Sequence, residues 1–382
     1  MQLRTVESLA AVAAHRWNAL VQDGNPFLSH EFLLALERTD CLGERTGWFP
    51  RHLLCHDDEG RLLAAVPLYL KDNSFGEFVF DWSWADAYQR HGLSYYPKLV
   101  SAIPFTPATG QRLLIAADAP NQEVSDRMLE RVLAEANRNR CSSVHWLFVE
   151  DTELARLESA GYMARWGCQF HWHNCGYRDF DDFLATFNAK KRKNIKRERR
   201  AVQEAGIELR RLLGSQVSTA EWSLFHRFYL NTFQQHGNFP ALTLEFFLDI
   251  GANLGDRILL VIARRSGKDI AAALSLMSDS TLYGRHWGCA TDADSLHFEA
   301  CYYQGIEHCI EHRLRRFEPG AQGEHKVWRG FLPTLTRSAH WIAHPSFSSA
   351  IADFLRREAP SIKRYASELN AHSPYRQVEA DG

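Results

Sequence analysis

Apolar and polar positions follow two periods along this chain. Leu296, Ala300, Tyr303, Ile306, Ile310 and Leu314 recur at helical spacing and predict an amphipathic helix. Ahead of it, the runs Ile258–Arg264 and Ile270–Ser278 flank Ser-Gly-Lys-Asp and predict a hairpin, with Thr281–Trp287 as a third strand. Before the hairpin, helices are predicted over 181–205, 219–236 and 243–251, with strand Glu208–Leu212 after the first. Val327–Leu332 is a further strand candidate, and Pro345–Glu358 a final helix.

The N-terminal half repeats this order. Ser29 is a predicted N-cap for helix His30–Arg38. Strand-like runs Arg51–Cys55 and Leu62–Leu70 flank Asp-Asp-Glu-Gly, and the aromatic-dense run Phe75–Trp84 follows. Leu99–Pro104 and Gln111–Ile115 read as short strands, then helix Val124–Arg140, strand Val144–Val149, helix Glu153–Ala160 and strand Cys168–Asn174. The pattern predicts an α/β (α+β) protein of two tandem units, 1–176 and 177–382. One larger mixed sheet is the alternative.

A chain of 382 residues exceeds a single typical core, in keeping with two units. The formal charge of −2 and the absence of any apolar run near ~18 residues point to a soluble globular protein. Glu7 falls where a signal peptide needs an apolar core, and the 8 cysteines form no C-x-x-C pair. A reducing cytoplasm is therefore expected.

Lys190–Arg200 holds 8 basic residues in 11. Like charges this dense repel, so either a polyanion such as a phosphate group relieves them or they form a solvated face. Arg192 and Lys193 are the candidate phosphate holders. Lys190-x-Arg-x-Asn-Ile with the following basic residues and Gly206-Ile-Glu resembles the segment that opens the second half of Fem-type transferases. Asn25-Pro-Phe-Leu-Ser-His-Glu-Phe, Tyr95–Gly110 and Tyr283–Lys326 extend the resemblance, which is nearest to FemAB-like N-acyltransferases of bacteria. It implies two GNAT-like (acetyltransferase-fold) domains with mixed sheets. It also implies transfer of an acyl or aminoacyl group, from aminoacyl-tRNA in Fem enzymes, to an amine of a peptidoglycan precursor.

Acyl transfer to an amine needs a base, donors for an oxyanion and a proton for the leaving group. No G-x-S-x-G and no Cys with an obvious His partner is present, so a protein nucleophile is not expected. Candidate catalytic groups are Glu299, His297 and Glu324, although a helix N-terminal Glu also needs no function. Candidate substrate contacts in the second half are Arg285, His286, Tyr303, Glu318, Gln322 and Lys326. The last three cluster with Glu324 and His325 around Pro319-Gly320, where two carboxylates with a His and a Lys suit a polar acceptor or acid and base, and an exposed turn is the alternative. In the first half they are Asp81, Trp84, Asp86, Tyr96 and Lys98, where alternating Trp and Asp suit a groove for a ring or sugar, or else a core with capped turns. His171 and His173 with Cys168 and Cys175 are better explained as a core strand than as a metal site, and no metal is expected.

The segments Asp118-Ala-Pro-Asn-Gln-Glu and Ala290-Thr-Asp-Ala-Asp-Ser precede the two central helices without glycine and with acidic residues. A pyrophosphate is disfavoured there, which weighs against acetyl-CoA as donor. No heptad run between Gly206 and Asp256 supplies the coiled-coil arm of some Fem members. A CoA-dependent acetyltransferase of a small amine and a non-catalytic muropeptide-recognition module remain the alternatives. No DNA partner is expected.

Overall fold

Val124, Met128, Leu129, Val132 and Ala136 form the buried stripe of helix Asn121–Arg138. This helix links two strands that pair in parallel, Lys98–Ser101 and Ser143–Leu147, with Val100 opposite His145. Antiparallel neighbours complete the sheet: Leu68–Lys71 and then Trp48–Pro50 on one side, and the stretch from Ser338 to Ile342 on the other. Gln2–Val6, His52–His56, Leu62–Val66 and Leu114–Ile115 form a separate four-stranded antiparallel sheet. The run predicted as one strand, Leu62–Leu70, is thus two strands in two sheets. Pro67 divides them, because it has no N–H to give a ladder.

The computed structural model describes residues 1–376 other than Asp292 and Gln322. The chain divides into two compact units. The first comprises Met1–Cys168 with Leu335–Arg364, and the second Gln169–Thr334 with the residues from Tyr365 onward. The boundary expected at 176/177 is therefore corrected: the chain leaves the first unit at 168, returns to it at 335 and leaves again at 364.

In the second unit, Ile207–Leu213, Ile258–Arg265, Lys268–Met277 and Thr281–Cys289 pair in sequence, each antiparallel to the next. The hairpin turn is where the sequence placed it, with Ser266 (φ 50) and Gly267 (φ 75) both left-handed, as a tight turn between twisted strands requires. Strand Arg316–Glu318 then returns parallel to Thr281–Cys289 and is flanked by Trp172 and His173. Between them runs the central helix, in three consecutive segments: an α turn Leu296–Phe298, a π turn Glu299–Tyr303 and an α-helix Gln304–Glu311. Its apolar stripe packs on Leu282 and Phe317 in the core of the unit.

Three predicted elements differ. The long helix predicted from 181 is two, Phe180–Ala185 and Ala189–Glu204, and Asn188 caps the second by accepting from the Lys191 N–H. Val327 lies not in a strand but in a 3-10 helix, Glu324–Arg329, after which Gly330 (φ 92) turns the chain into strand Leu332–Ile342. The last helix runs further than predicted, over Pro345–Ala371. Among the described residues no helix is long and apolar enough to cross a membrane.

Candidate functional site

The parallel strands Thr281–Cys289 and Arg316–Glu318 stay in register only from Thr281 opposite Arg316 to Tyr283 opposite Glu318. Beyond that point Pro319 offers no N–H, Gly320 takes φ 95, and the two strands part. Gly284 sits at the fork, where a Cβ would lie 3.2 Å from Pro319 Cα. On the other edge of the same strand the register slips between Leu274, opposite His286, and Ser275, opposite Gly284, so Arg285 is the extra residue of a bulge. A cleft of about 470 Å3 occupies the fork.

His236, Ala273–Ser275 and Pro319–Ala321 form part of its wall, and three further segments carry most of its functional side chains. The bulged strand presents Arg285, His286 and Trp287; the start of the central helix presents His297, Cys301 and Tyr302; the 3-10 helix presents His325 and Lys326. Lys326 is buried and its Nζ donates to the Gly320 carbonyl at 2.8 Å. Burial pushes its pKa down to about 8. Burial also lowers Arg285 to about 10 and drives the His286 imidazole well below its ordinary value. His325 is lowered by burial and by the neighbouring Arg329 and Lys326, and its Nε2 lies 3.0 Å from Tyr302 Oη. The Cys301 thiol is raised by burial. At neutral pH the cleft therefore sets the cations of Arg285 and Lys326 beside the neutral imidazoles of His286 and His325, with Cys301 as the thiol.

The basic helix Ala189–Glu204 serves this cleft with its inner face. Glu198 accepts from Arg329 Nη2 at 2.7 Å and from Tyr303 Oη, while Arg329 Nη1 donates to the His325 carbonyl at 2.9 Å. Arg199 grips Glu299 through two bonds of 3.0 and 3.1 Å and donates to Glu307 at 2.7 Å. Gln304 Nε2 adds a third bond to Glu299, at 2.8 Å. The outer face carries Lys190, Lys193, Lys196, Arg197 and Arg200, all exposed, with Arg192 half-buried.

Of the residues singled out in the sequence, the structure gathers Arg285, His286, His297 and Lys326 at the cleft. Glu299 and Tyr303 lie behind it, in the ion-pair layer against the basic helix. Glu318 is buried beside Arg316 at 3.0 Å, and Glu324 is exposed and accepts from Tyr365 Oη at 2.7 Å. Gln322 lies outside the described residues. His325, which the sequence placed in the polar cluster after Pro319-Gly320, also lines the cleft, whereas Cys301, Tyr302 and Arg329 were not among the candidates.

The first-unit candidates form a different arrangement. Lys98 is fully buried, and its Nζ donates to Asp81 at 2.5 Å and to Glu77 and Ser74 at 2.9 Å each. Tyr95 Oη donates to Asp81 at 2.6 Å, and Tyr96 Oη meets Ser74 Oγ at 2.9 Å. Burial raises Glu77 to about 7, whereas for Asp81 the pull of burial is outweighed by Lys98 and the carboxyl is held well below its usual range. Trp84 is buried under the Arg165 guanidinium, and Asp86 is exposed on helix Trp82–Arg90. The segment predicted to read as an aromatic groove is inverted: Phe75, Phe78, Phe80 and Trp82 face out while Glu77 and Asp81 face in.

No curated protein matches the chain. Among solved structures, FemX aligns over 92% of this chain and 100% of its own at 12% identity, with a TM-score of 0.56. The C-terminal domain of a putative lysylphosphatidylglycerol synthetase from Agrobacterium fabrum aligns over 91% and 96% at 12% identity, with a TM-score of 0.54. L-PGS from Bacillus licheniformis aligns over 85% and 96% at 11% identity, with a TM-score of 0.50. These likenesses establish the fold as the Fem-like, GNAT-like α/β type with mixed sheets that the sequence led one to expect. The pattern that defines the FemAB-like family, described as peptidoglycan biosynthesis/recognition, matches residues 8–377, and the chain belongs to that family.

Proposed function

We propose that this protein is an N-acyltransferase that passes an acyl or aminoacyl group to an amine of a peptidoglycan precursor, with its chemistry in the second-unit cleft. The observation that carries this reading is the buried Lys326 beside neutral His325 at the fork of the parallel strands. A carbonyl placed there would have its developing oxyanion stabilised by the ammonium, whose field is strong in a dry cleft. His325 or His297 would take the proton released by the attacking amine, and Lys326 would supply one to the leaving oxygen. The raised Cys301 thiol favours direct transfer over a covalent intermediate. Glu299, expected as a base, is better read as the anchor of the basic helix, because Arg199 and Gln304 occupy its carboxylate.

For the donor, aminoacyl-tRNA is preferred over acyl-CoA. The central helix opens behind Asp294 and Ser295 without the glycine-rich amide cradle that a pyrophosphate uses. The exposed row Lys190, Lys193, Arg197 and Arg200, with Arg192 and Lys193 as phosphate holders, suits a phosphate backbone. FemX and the lysylphosphatidylglycerol synthetase domain share the fold, and the family description points to the cell-wall precursor.

The test is single-turnover transfer of labelled aminoacyl groups from tRNA, and in parallel of acetyl from acetyl-CoA, onto a UDP-linked muropeptide. Transfer from tRNA that is lost in Lys326→Met supports the proposal. Transfer from acetyl-CoA alone would replace the donor. Precursor binding with no turnover from either donor would make the protein a recognition module.

A further inference from the structure

The central helix ends in the sequence His308-Cys-Ile-Glu311-His312, which sets two imidazoles one turn apart with a carboxylate beside the second. One potential ligand atom from each of His308, Glu311 and His312 lies within 4.8 Å of the other two. The two rings stack, with centroids 4.0 Å apart and planes inclined by 27°. His312 Nδ1 lies 3.0 Å from the His308 carbonyl, which directs its Nε2 to another partner. His308 is only 3% exposed, and its Nε2 has no hydrogen-bond partner among the described residues. A buried donor or acceptor left unmatched is costly, so a retained one calls for an explanation.

We propose that His308, Glu311 and His312 bind a divalent transition-metal ion of the zinc, cobalt or nickel type. Two imidazole nitrogens and one carboxylate are the donor set such borderline ions prefer, and histidines four apart on a helix share one face. The cluster sits at the C-terminal end of the helix, where the last carbonyls favour positive charge. Ligands roughly 2.0–2.1 Å from a tetrahedral zinc stand about 3.4 Å apart. Closing the remaining gap around the buried His308 requires the exposed Glu311 and His312 side chains to rotate, at the expense of the ring stacking and of the His312 contact with the His308 carbonyl.

Arg211 is the opposing charge. Its Nη2 donates to Glu311 at 2.9 Å and its Nη1 lies 2.8 Å from the other carboxylate oxygen. Metal binding displaces this guanidinium, so Arg211 sets the affinity. Glu311 also lines a second cleft, of about 770 Å3, whose charged wall mixes Arg178, Lys196 and Arg200 with Asp179, Asp181 and Glu307. Three protein ligands leave a coordination position for water.

The experiment is calorimetric titration of the full chain with Ni2+ and Co2+ after chelator treatment, under a non-thiol reductant, in wild type, His312→Ala, Glu311→Gln and Arg211→Ala. Wild type is expected to show one saturable equivalent that His312→Ala weakens at least tenfold and Arg211→Ala tightens several-fold. The other histidines and the cysteines are common to all variants and cancel in the comparison. His312 and Glu311 are exposed, so their variants keep the fold, which circular dichroism checks. Absence of a saturable equivalent in wild type, or one of unchanged affinity in both His312→Ala and Glu311→Gln, overturns the proposal.

Discussion

Replacing Lys326 by methionine should make the protein more stable and less active. An ammonium whose pKa falls from 10.5 to about 8 on folding is held charged in the folded state, at neutral pH, at a cost of about 3 kcal/mol. Methionine relieves that cost and fills a similar volume, while loss of the bond to the Gly320 carbonyl takes back about 1 kcal/mol. A net gain of about 2 kcal/mol follows, or a Tm higher by roughly 4–8 °C for a unit of this size. The sign of the pH dependence is fixed. Between pH 8 and 10.5 the unfolded lysine is protonated and the folded one is not, so wild type gains stability as pH rises through that window. The variant lacks this term, and its advantage should fade towards pH 10.5. Urea unfolding of both proteins at pH 7 and pH 10 measures the difference directly. A variant less stable than wild type at pH 7, or a difference unchanged at pH 10, would refute the argument that Lys326 is a charge held at a cost. Transfer activity should fall by on the order of 10²–10³, the usual effect of losing one oxyanion donor.

Other substitutions probe the supports. Arg329→Lys breaks the paired contact with Glu198 and frees the His325 carbonyl; about 2 kcal/mol of stability and more than tenfold in transfer should be lost, read by thermal unfolding and single-turnover rates. Lys98→Met leaves Glu77 and Asp81 buried without their cation and should cost about 3–5 kcal/mol at pH 7. At pH 5 the loss should shrink, because Glu77, raised to about 7, is then protonated; equal losses at both pH values would contradict the assigned network. Lys193→Glu, on the exposed face, should leave the unfolding midpoint within about 0.5 kcal/mol of wild type. The same change should weaken tRNA retention and flatten its salt dependence, measured by filter binding across a salt series.

Alternation and turn chemistry made most elements legible. The Ile258–Arg265 hairpin and the Ser29 cap follow from spacing and side-chain type alone. The errors have particular causes. Glu77 and Asp81 point inward while their aromatic neighbours point out, because Lys98, distant in sequence, carries a buried charge that must be matched. Hydropathy along the segment cannot register a partner elsewhere. Glu299 was placed beside His297, but residues two apart on a helix point about 200° from one another, so Glu299 turns towards the basic helix while Cys301, one turn on from His297, reaches the cleft. Lys326 was visible as a residue in a polar turn, and what makes it chemically distinctive is its burial, which only the fold supplies. Arg329 and Glu198 act through one another across 131 positions, a separation no local pattern reveals.

The route of the backbone has a consequence for biosynthesis. The first unit lacks its closing strand and the helix that covers Trp84 and Tyr88 until residues 335–364 have left the ribosome. At ordinary elongation speeds the 196 residues between Cys168 and Arg364 (364 minus 168) take roughly 10–40 s to appear. During that interval the edge of strand Ser143–Leu147 stands open to other chains. The middle of the chain, by contrast, contains nearly all of the second unit in one uninterrupted stretch and can mature first. Nascent protein should therefore acquire protease resistance in the later-made half before the earlier-made one. An expression fragment cut after the first 176 residues would be an unfinished sheet rather than a domain.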